Sequence, residues 1–172
     1  MDVDRLLGEM TLDEKVGQLF LLAFEAENTE AAETLFERSF VGGSYLSNDN
    51  LPDPAAAAAM AARIQSIAAR TRLGIPVLLG ADQEGAWSVM YPDSCPGPGN
   101  MAVGATGDPE LARAMYRVIG EVVRSVGLHA TFGPCGDCNT NPAIDIIGTR
   151  SFGEPPALVA GMTEAAVAGV VE

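Results

Sequence analysis

One order of elements occurs twice in this sequence and limits the folds that the chain can adopt. A helix-forming stretch, a glycine, an apolar run and then a glycine or proline follow one another at residues 72–80 and again at residues 125–134. Helices that alternate with buried strands at an interval of about 50 residues predict βαβ units with parallel strand pairing. Four strands are predicted, at residues 19–24, 41–46, 75–81 and 128–132.

The number of strands leaves two architectures open. Four strands, each followed by a helix or by a loop and a helix, make up the first half of a (β/α)8 barrel of the TIM type, and a whole barrel takes roughly 250 residues. A four-stranded doubly wound sheet has the same pattern, and periodicity does not separate the two. The chain of 172 residues, 48% of them hydrophobic, is expected to form a single domain with a sizeable core.

Local signals predict where the helices begin. Thr11 and Glu14 form a capping box, in which each side chain bonds the free backbone amide of the other residue. Asp53-Pro54 and Asp108-Pro109 each place an N-cap aspartate before a proline at the first helical position. Two further helices are predicted, at residues 25–38 and 158–171.

Charged side chains follow the third and the fourth predicted strands. Asp82 and Glu84 come directly after the third strand, at the start of a long polar loop, and Asp137 and Arg150 lie in the loop after the fourth strand. Folds of the α/β class place their chemistry at the carboxyl ends of their strands. The sequence therefore directs attention to these two loops as the parts of one site.

The charge of the chain argues against two kinds of partner. With 23 acidic and 10 basic residues the net charge is −13, which repels nucleic-acid phosphates and anionic membrane surfaces. No apolar run reaches the roughly 18 residues that span a bilayer, and the N-terminus is acidic where a secretory signal is basic. We expect a cytoplasmic protein that binds neither nucleic acid nor membrane.

The cysteines and the histidine are expected to be structural. Cys135 and Cys138 have the C-x-x-C spacing of redox dithiols and zinc sites, but the helix start or the second cysteine pair that such sites use is not evident in the sequence. We interpret them as ordinary reduced thiols and expect no metal. His129, the only histidine, lies within a strand and is interpreted as a structural side chain.

Four blocks of sequence together resemble glycoside hydrolase family 3, which contains β-glucosidases, β-xylosidases and β-N-acetylglucosaminidases. In chain order they read Met-Thr-Leu-Asp-Glu-Lys-Val-Gly-Gln-Leu (10–19), Gly-Ala-Asp-Gln-Glu-Gly (80–85), Gly-Ala-Thr-Gly-Asp-Pro-Glu-Leu-Ala (104–112) and Ile-Gly-Thr-Arg-Ser-Phe-Gly-Glu (147–154). They occur in the order of the family and extend over nearly the whole chain. The resemblance implies a (β/α)8-type catalytic barrel with its sugar site at the C-terminal mouth of the strands.

The resemblance also implies roles for individual residues. Asp82 matches the family aspartate that binds hydroxyls of the sugar in the −1 subsite, and Arg150 matches the arginine that donates to the same sugar. The structural alternatives are a loop cap for Asp82 and a surface ion pair with Glu154 for Arg150. Glu84 and Asp137 are expected to accept backbone hydrogen bonds that fix loop geometry more than to touch sugar. Trp87 either stacks on a sugar face or fills the mouth of the barrel.

Departures from the family pattern bear on activity. The family's Lys-His block and its aspartate nucleophile, on a later strand, have no counterpart within these 172 residues. Retaining hydrolysis needs a nucleophilic carboxylate and an acid/base about 5 Å apart, so we expect this chain alone to be inactive. Residues 85–90 also differ from the pattern of many N-acetylglucosaminidases.

Two functions are consistent with that absence. The chain either supplies the sugar-binding half of a retaining β-glycosidase, completed by a second copy or by a complementary barrel half, or it is a non-catalytic carbohydrate-binding or assembly protein. A carbohydrate is the expected ligand in both cases. No cofactor is implied, because hydrolysis by paired carboxylates needs only water.

Overall fold

The computed structural model describes residues 2–25, 28–86, 89–94, 97–141 and 143–172. The helices are α1 (Val3–Glu9), α2 (Leu12–Gly17), α3 (Thr29–Glu33), α4 (Pro54–Ala69), α5 (Asn100–Gly104), α6 (Pro109–Ser125) and α7 (Pro156–Val170). The strands are β1 (Leu21–Leu22), β2 (Gly43–Tyr45), β3 (Leu78–Ala81) and β4 (Ala130–Thr131). A π-helical turn spans Thr34–Arg38, and a 3-10 turn spans Gly148–Arg150.

The chain divides into two compact units. The first consists of Met1–Ala81 with Val126–His129, and the second of Asp82–Ser125 with Ala130–Glu172. All four predicted strands are present, each shorter than its predicted range. The division into two compact units does not test the prediction of a single domain, which stays a prediction.

The first unit contains a parallel sheet of β1, β2 and β3. Leu21 of β1 pairs with Gly43 of β2, and Ser44 of β2 pairs with Leu79 of β3. The parallel pairing predicted from the helix–strand repeat is confirmed for these three strands. The backbone packs closely at Gly42, directly before β2. A Cβ atom on Gly42 would lie 2.5 Å from the carbonyl oxygen of Gln18, so only glycine fits there.

Side chains cap the helices at the predicted positions. Thr11 accepts a hydrogen bond from the amide of Glu14, and the Glu14 carboxylate accepts one from the amide of Thr11, so the capping box is present. Asp53 caps α4 by accepting from the amide of Ala56 at 2.8 Å. The Asp108 carboxylate accepts from the amide of Glu110 at the start of α6.

The core of the first unit draws on β3, on α4 and on the segment after β2. Its largest fully buried apolar side chains are those of Leu46, Leu51, Ile64 and Leu79. The prediction that residues 19–24 form a fully buried strand is wrong. Leu21 and Leu22 are 39% and 38% exposed, because β1 pairs with β2 on one side and the described residues of the unit place no strand on its other side.

Two glycines let α6 and α7 pack closely in the second unit. A Cβ atom on Gly120 of α6 would lie 2.7 Å from the carbonyl oxygen of Val170, and one on Gly169 of α7 would overlap the backbone of Arg113. Tyr116, Ile119 and Met162 are fully buried in this unit. Helices α6 and α7 therefore pack tightly against each other in the second unit.

Two further predictions concern the connections. Helix α5 lies within residues 82–107, which make up the long polar loop predicted after the third strand, so that prediction is wrong over five residues. The structural interpretation of His129 is confirmed, since its Nδ1 accepts a hydrogen bond from the amide of Leu79 at 3.1 Å. Among the described residues, no helix combines the length and the apolar character that crossing a membrane requires.

Candidate functional site

The centre of the candidate site is a buried ion pair in the second unit. Glu84 lies three residues after the end of β3, and its carboxylate accepts two hydrogen bonds from Arg150, one from Nε to Oε2 and one from Nη2 to Oε1, each 2.8 Å long. The side chain of Glu84 is 3% exposed and that of Arg150 is 25% exposed. Paired N–H···O bonds of this kind fix the plane of the guanidinium as well as its position.

The surroundings keep Arg150 charged. The pKa of the Arg150 guanidinium is raised far above its ordinary value, mainly by its hydrogen bonds to Glu84, against the opposing effect of burial. Its Nη1 also donates to the carbonyl oxygen of Ile146 at 3.1 Å. A permanently charged donor group is therefore held in one orientation.

Asp82 belongs to the same electrostatic environment. It directly follows β3, is partly exposed, and its negative charge contributes to the raised pKa of Arg150. The two residues that the family resemblance relates to one sugar, 68 positions apart in the chain, thus interact electrostatically. Their role as sugar ligands remains a prediction.

Glu84 and Arg150 differ from part of what we expected. Glu84 was expected to accept backbone hydrogen bonds, and Glu154 was the alternative partner for Arg150. The structure instead joins Glu84 to Arg150. The physical reason is burial, because a carboxylate at 3% exposure needs a cationic partner and Arg150 supplies two donors to it.

Asp137 links the loop after β4 to the turn that carries Arg150. Its carboxylate accepts a hydrogen bond from the Cys135 thiol at 3.1 Å, and its backbone carbonyl accepts one from the Ser151 hydroxyl at 2.5 Å. Burial raises the pKa of the Cys135 thiol, and both Cys135 and Cys138 are free. Trp87, the remaining candidate, lies outside the described residues.

Gln83 is a site-supporting residue that sequence reasoning missed. It is fully buried, its Nε2 donates to the carbonyl oxygen of Ser94 at 2.6 Å, and its Oε1 accepts from the amide of Met90 and the hydroxyl of Ser94. Its own backbone carbonyl accepts from Thr131 of β4. The signal available in the sequence was a glutamine between Asp82 and Glu84 at the end of an apolar strand, since an amide that is buried there without partners is costly.

Asn100 and Tyr116 were missed as well. The Tyr116 hydroxyl donates to Oδ1 of Asn100 at 3.0 Å, and Nδ2 of Asn100 donates to the backbone carbonyl of Arg150 at 2.7 Å. Both side chains are buried, and burial raises the pKa of Tyr116. No periodic pattern in the sequence marks these contacts.

A cavity of about 300 Å³ lies beside the ion pair in the second unit. Glu84 and Thr149 line one part of it, and the rest of its lining is small or apolar: Ala86, Pro98, Gly99, Met101, Ala102 and Ala105. Within the described ranges, no group of three or more His, Cys, Asp and Glu side chains is arranged to hold a metal ion. Glu84 and Thr149 are thus the polar groups of an otherwise apolar lining.

Comparisons with known proteins point to one family. The sequence pattern described as "Glycosyl hydrolase family 3 N terminal domain" matches residues 11–172. A Beta-N-acetylglucosaminidase/beta-glucosidase of Cellulomonas fimi is 35% identical over 156 residues, which are 91% of this chain and 26% of that protein. A Periplasmic beta-glucosidase/beta-xylosidase of Dickeya chrysanthemi is 30% identical over 183 residues, covering 96% of this chain and 27% of its own length.

The fold agrees with a solved structure. A glycoside hydrolase family 3 beta-N-acetylglucosaminidase from Paenibacillus sp. str. FPU-7 superposes with a TM-score of 0.88 at 38% identity, over 94% of this chain and 31% of that one. The predicted fold, the first half of a (β/α)8-type barrel, is confirmed by this likeness. The chain spans between a quarter and a third of the length of these three proteins.

Proposed function

The chain belongs to glycosyl hydrolase family 3, and from this premise we propose that it supplies the sugar-binding half of the active site of a retaining β-glycosidase. The proposed substrates are β-glucosides or related β-glycosides, and the proposed reaction is hydrolysis of the O-glycosyl bond. The observation that carries the proposal is the buried pair of Glu84 and Arg150 beside Asp82.

The pair leaves donors available for a sugar. A guanidinium has five N–H donors, of which two go to Glu84 and one goes to the carbonyl oxygen of Ile146. The two others suit sugar hydroxyl oxygens, and the side chain retains 25% exposure through which a ligand reaches it. In the proposed complex, the carboxylate of Asp82 accepts hydrogen bonds from neighbouring hydroxyl groups of the sugar.

The reaction sets the division of roles. In retaining hydrolysis one carboxylate attacks the anomeric carbon and an acid protonates the leaving oxygen, and water then releases the sugar. Asp82 and Arg150 hold the sugar in place for that attack in our proposal, and neither is the nucleophile. The relatives carry hydrolase names, which favours an enzyme over the alternative of a non-catalytic carbohydrate-binding protein.

Titration calorimetry of this chain with glucose, xylose and N-acetylglucosamine tests the sugar-binding role. We expect at least one of the three sugars to bind, and Asp82→Ala to weaken its binding by about 10-fold or more, since hydrogen bonds to a charged group contribute about 1.5–3 kcal/mol each. Asp93→Ala, which removes an equal charge from an exposed position of the same loop, should leave binding unchanged. Equal weakening by both variants, or no binding of any sugar, would refute the proposed role.

We further propose that a second copy of the chain covers the exposed edge of the first unit. Leu19 and Phe20, which directly precede β1, are 84% and 50% exposed there. Four strands from each of two copies give the eight of a closed barrel, and closure removes such edges. Light scattering at micromolar concentration should show a dimer. A monomer would contradict this proposal and leave a complementary barrel half as the partner to seek.

A further inference from the structure

The turn that carries Arg150 is too short to fix this residue by itself. It is a single 3-10 turn of three residues, Gly148–Arg150, and Gly148 has a φ of 43°, in the left-handed region. Short 3-10 segments have poor hydrogen-bond geometry and depend on their surroundings. The ion pair with Glu84 holds the tip of the Arg150 side chain, but it does not hold the backbone from which that side chain projects.

The backbone of Arg150 is held from another helix. Asn100, the first residue of α5, is 1% exposed, and its Nδ2 donates to the carbonyl oxygen of Arg150 at 2.7 Å. The contact joins positions 50 residues apart in the chain. Apart from its contacts with the adjoining residues Ile146 and Ile147, Arg150 is thus held at two points, its carbonyl oxygen by Asn100 and its guanidinium by Glu84.

Tyr116 determines which way the Asn100 amide faces. The Tyr116 hydroxyl, fully buried on the 17-residue helix α6, lies 3.0 Å from Oδ1 of Asn100. A rotated amide would place an oxygen against the carbonyl oxygen of Arg150, and a carbonyl oxygen only accepts hydrogen bonds. The observed orientation is therefore the one in which both contacts are made.

We propose that Asn100, oriented by Tyr116, is a positioning residue that holds Arg150 in its sugar-binding orientation. This inference deepens the proposed function and, in its effect on sugar binding, rests on it. Asn100 does not touch the sugar in this scheme. It acts through the backbone of Arg150, and its loss should loosen the pair of Arg150 with Glu84 as well as weaken the binding of sugar.

The test combines a spectroscopic reading of Arg150 with sugar binding. Asn100→Asp keeps the size of the side chain and the acceptor for Tyr116, but it replaces the donor to Arg150 by an oxygen. Asn50→Asp is the matched control, because Asn50 is 2% exposed and bonds Ser47 and the carbonyl oxygen of Phe24 in the first unit. The exchange of the Arg150 Nε–H proton with water is measured by NMR, with the signal assigned by its loss in Arg150→Lys.

Asn100→Asp should accelerate exchange of the Arg150 Nε–H by about 10-fold and weaken sugar binding by a similar factor, the upper range for one buried hydrogen bond. Asn50→Asp should change neither quantity. A folded Asn100→Asp variant with unchanged exchange would overturn the inference. If Asn100→Asp does not fold, the same experiment is done with Tyr116→Phe, which removes only the hydroxyl. Exchange of the Arg150 Nε–H should then be about threefold faster than in the wild type. Unchanged exchange in Tyr116→Phe would also overturn the inference.

The two proposals fail separately. Exchange of the Arg150 Nε–H decides the positioning role whether or not the chain binds sugar. A wild-type chain that binds none of the three sugars would end the proposed function, while faster exchange in Asn100→Asp would still support the positioning role.

Discussion

Removing one partner of the Glu84–Arg150 pair should destabilise the fold strongly, because the pair is buried. Glu84→Gln removes the charge with little change in volume and leaves one acceptor oxygen where Arg150 now has two. Breaking a buried pair on one side costs about 3–5 kcal/mol. Since a quarter of the Arg150 side chain stays in contact with water, we expect the lower value, a loss of about 3 kcal/mol in the free energy of unfolding.

The reverse substitution should cost more. Arg150→Met leaves the Glu84 carboxylate, at 3% exposure, without its cationic partner, and we expect a loss of about 4–5 kcal/mol. The double variant should lose less than the sum of the two single losses, because the second substitution removes a charge that the first left unpaired.

Urea unfolding followed by circular dichroism measures these free energies. The control is Glu9→Gln in the exposed pair of Arg5 and Glu9, whose side chains are 49% exposed for Glu9 and 75% for Arg5 and lie 3.7 Å apart. A surface pair of this kind contributes about 0–1 kcal/mol. The reasoning is refuted if Glu84→Gln costs no more than Glu9→Gln, or if Arg150→Met is less destabilising than Glu84→Gln.

Two other predictions concern stability. Burial raises the folded-state pKa of Tyr116, so the protonated hydroxyl contributes fully to stability below the unfolded-state pKa of about 10, and this contribution is lost as the pH rises above that value. Above a pH of about 10, the free energy of unfolding of the wild type should therefore fall by about 1.4 kcal/mol per pH unit relative to that of Tyr116→Phe. Urea unfolding at several pH values measures this difference. Gly42→Ala should lower the free energy of unfolding by about 1–3 kcal/mol, because the added Cβ atom meets the carbonyl oxygen of Gln18. Gly8→Ala, in helix α1 with no atom within 4 Å of the added Cβ, should instead raise it by about 0.5–1 kcal/mol. Thermal unfolding of the two variants compares these effects.

Local signals were sufficient for much of the fold. The capping box at Thr11 and the Asp53-Pro54 start of α4 involve residues three or fewer positions apart, so the sequence displays both partners of each contact. The parallel pairing followed from the regular alternation of helices and apolar strands. The polar residues at the strand ends, such as Asp82, could be predicted as well, because they directly follow an apolar run in the sequence.

Contacts across long separations were not predictable in this way. Glu84 and Arg150 lie 66 positions apart, and no periodicity relates them. Helix α5 has five residues and begins after Gly99, whose lack of a side chain removes the usual capping signal. The exposure of β1 was missed because an apolar run is typical of a buried strand and carries no information on how many neighbours that strand has.

The charges near Arg150 favour an uncharged ligand. Glu84 balances the charge of the guanidinium, and Asp82 and Asp137 add two further carboxylates in the loops after β3 and β4. Glu84 thus fixes the arginine, while under the proposed function Asp82 and Arg150 hold the ligand. The excess of carboxylates in these loops then favours neutral pyranosides over sugars that carry carboxylate or phosphate groups.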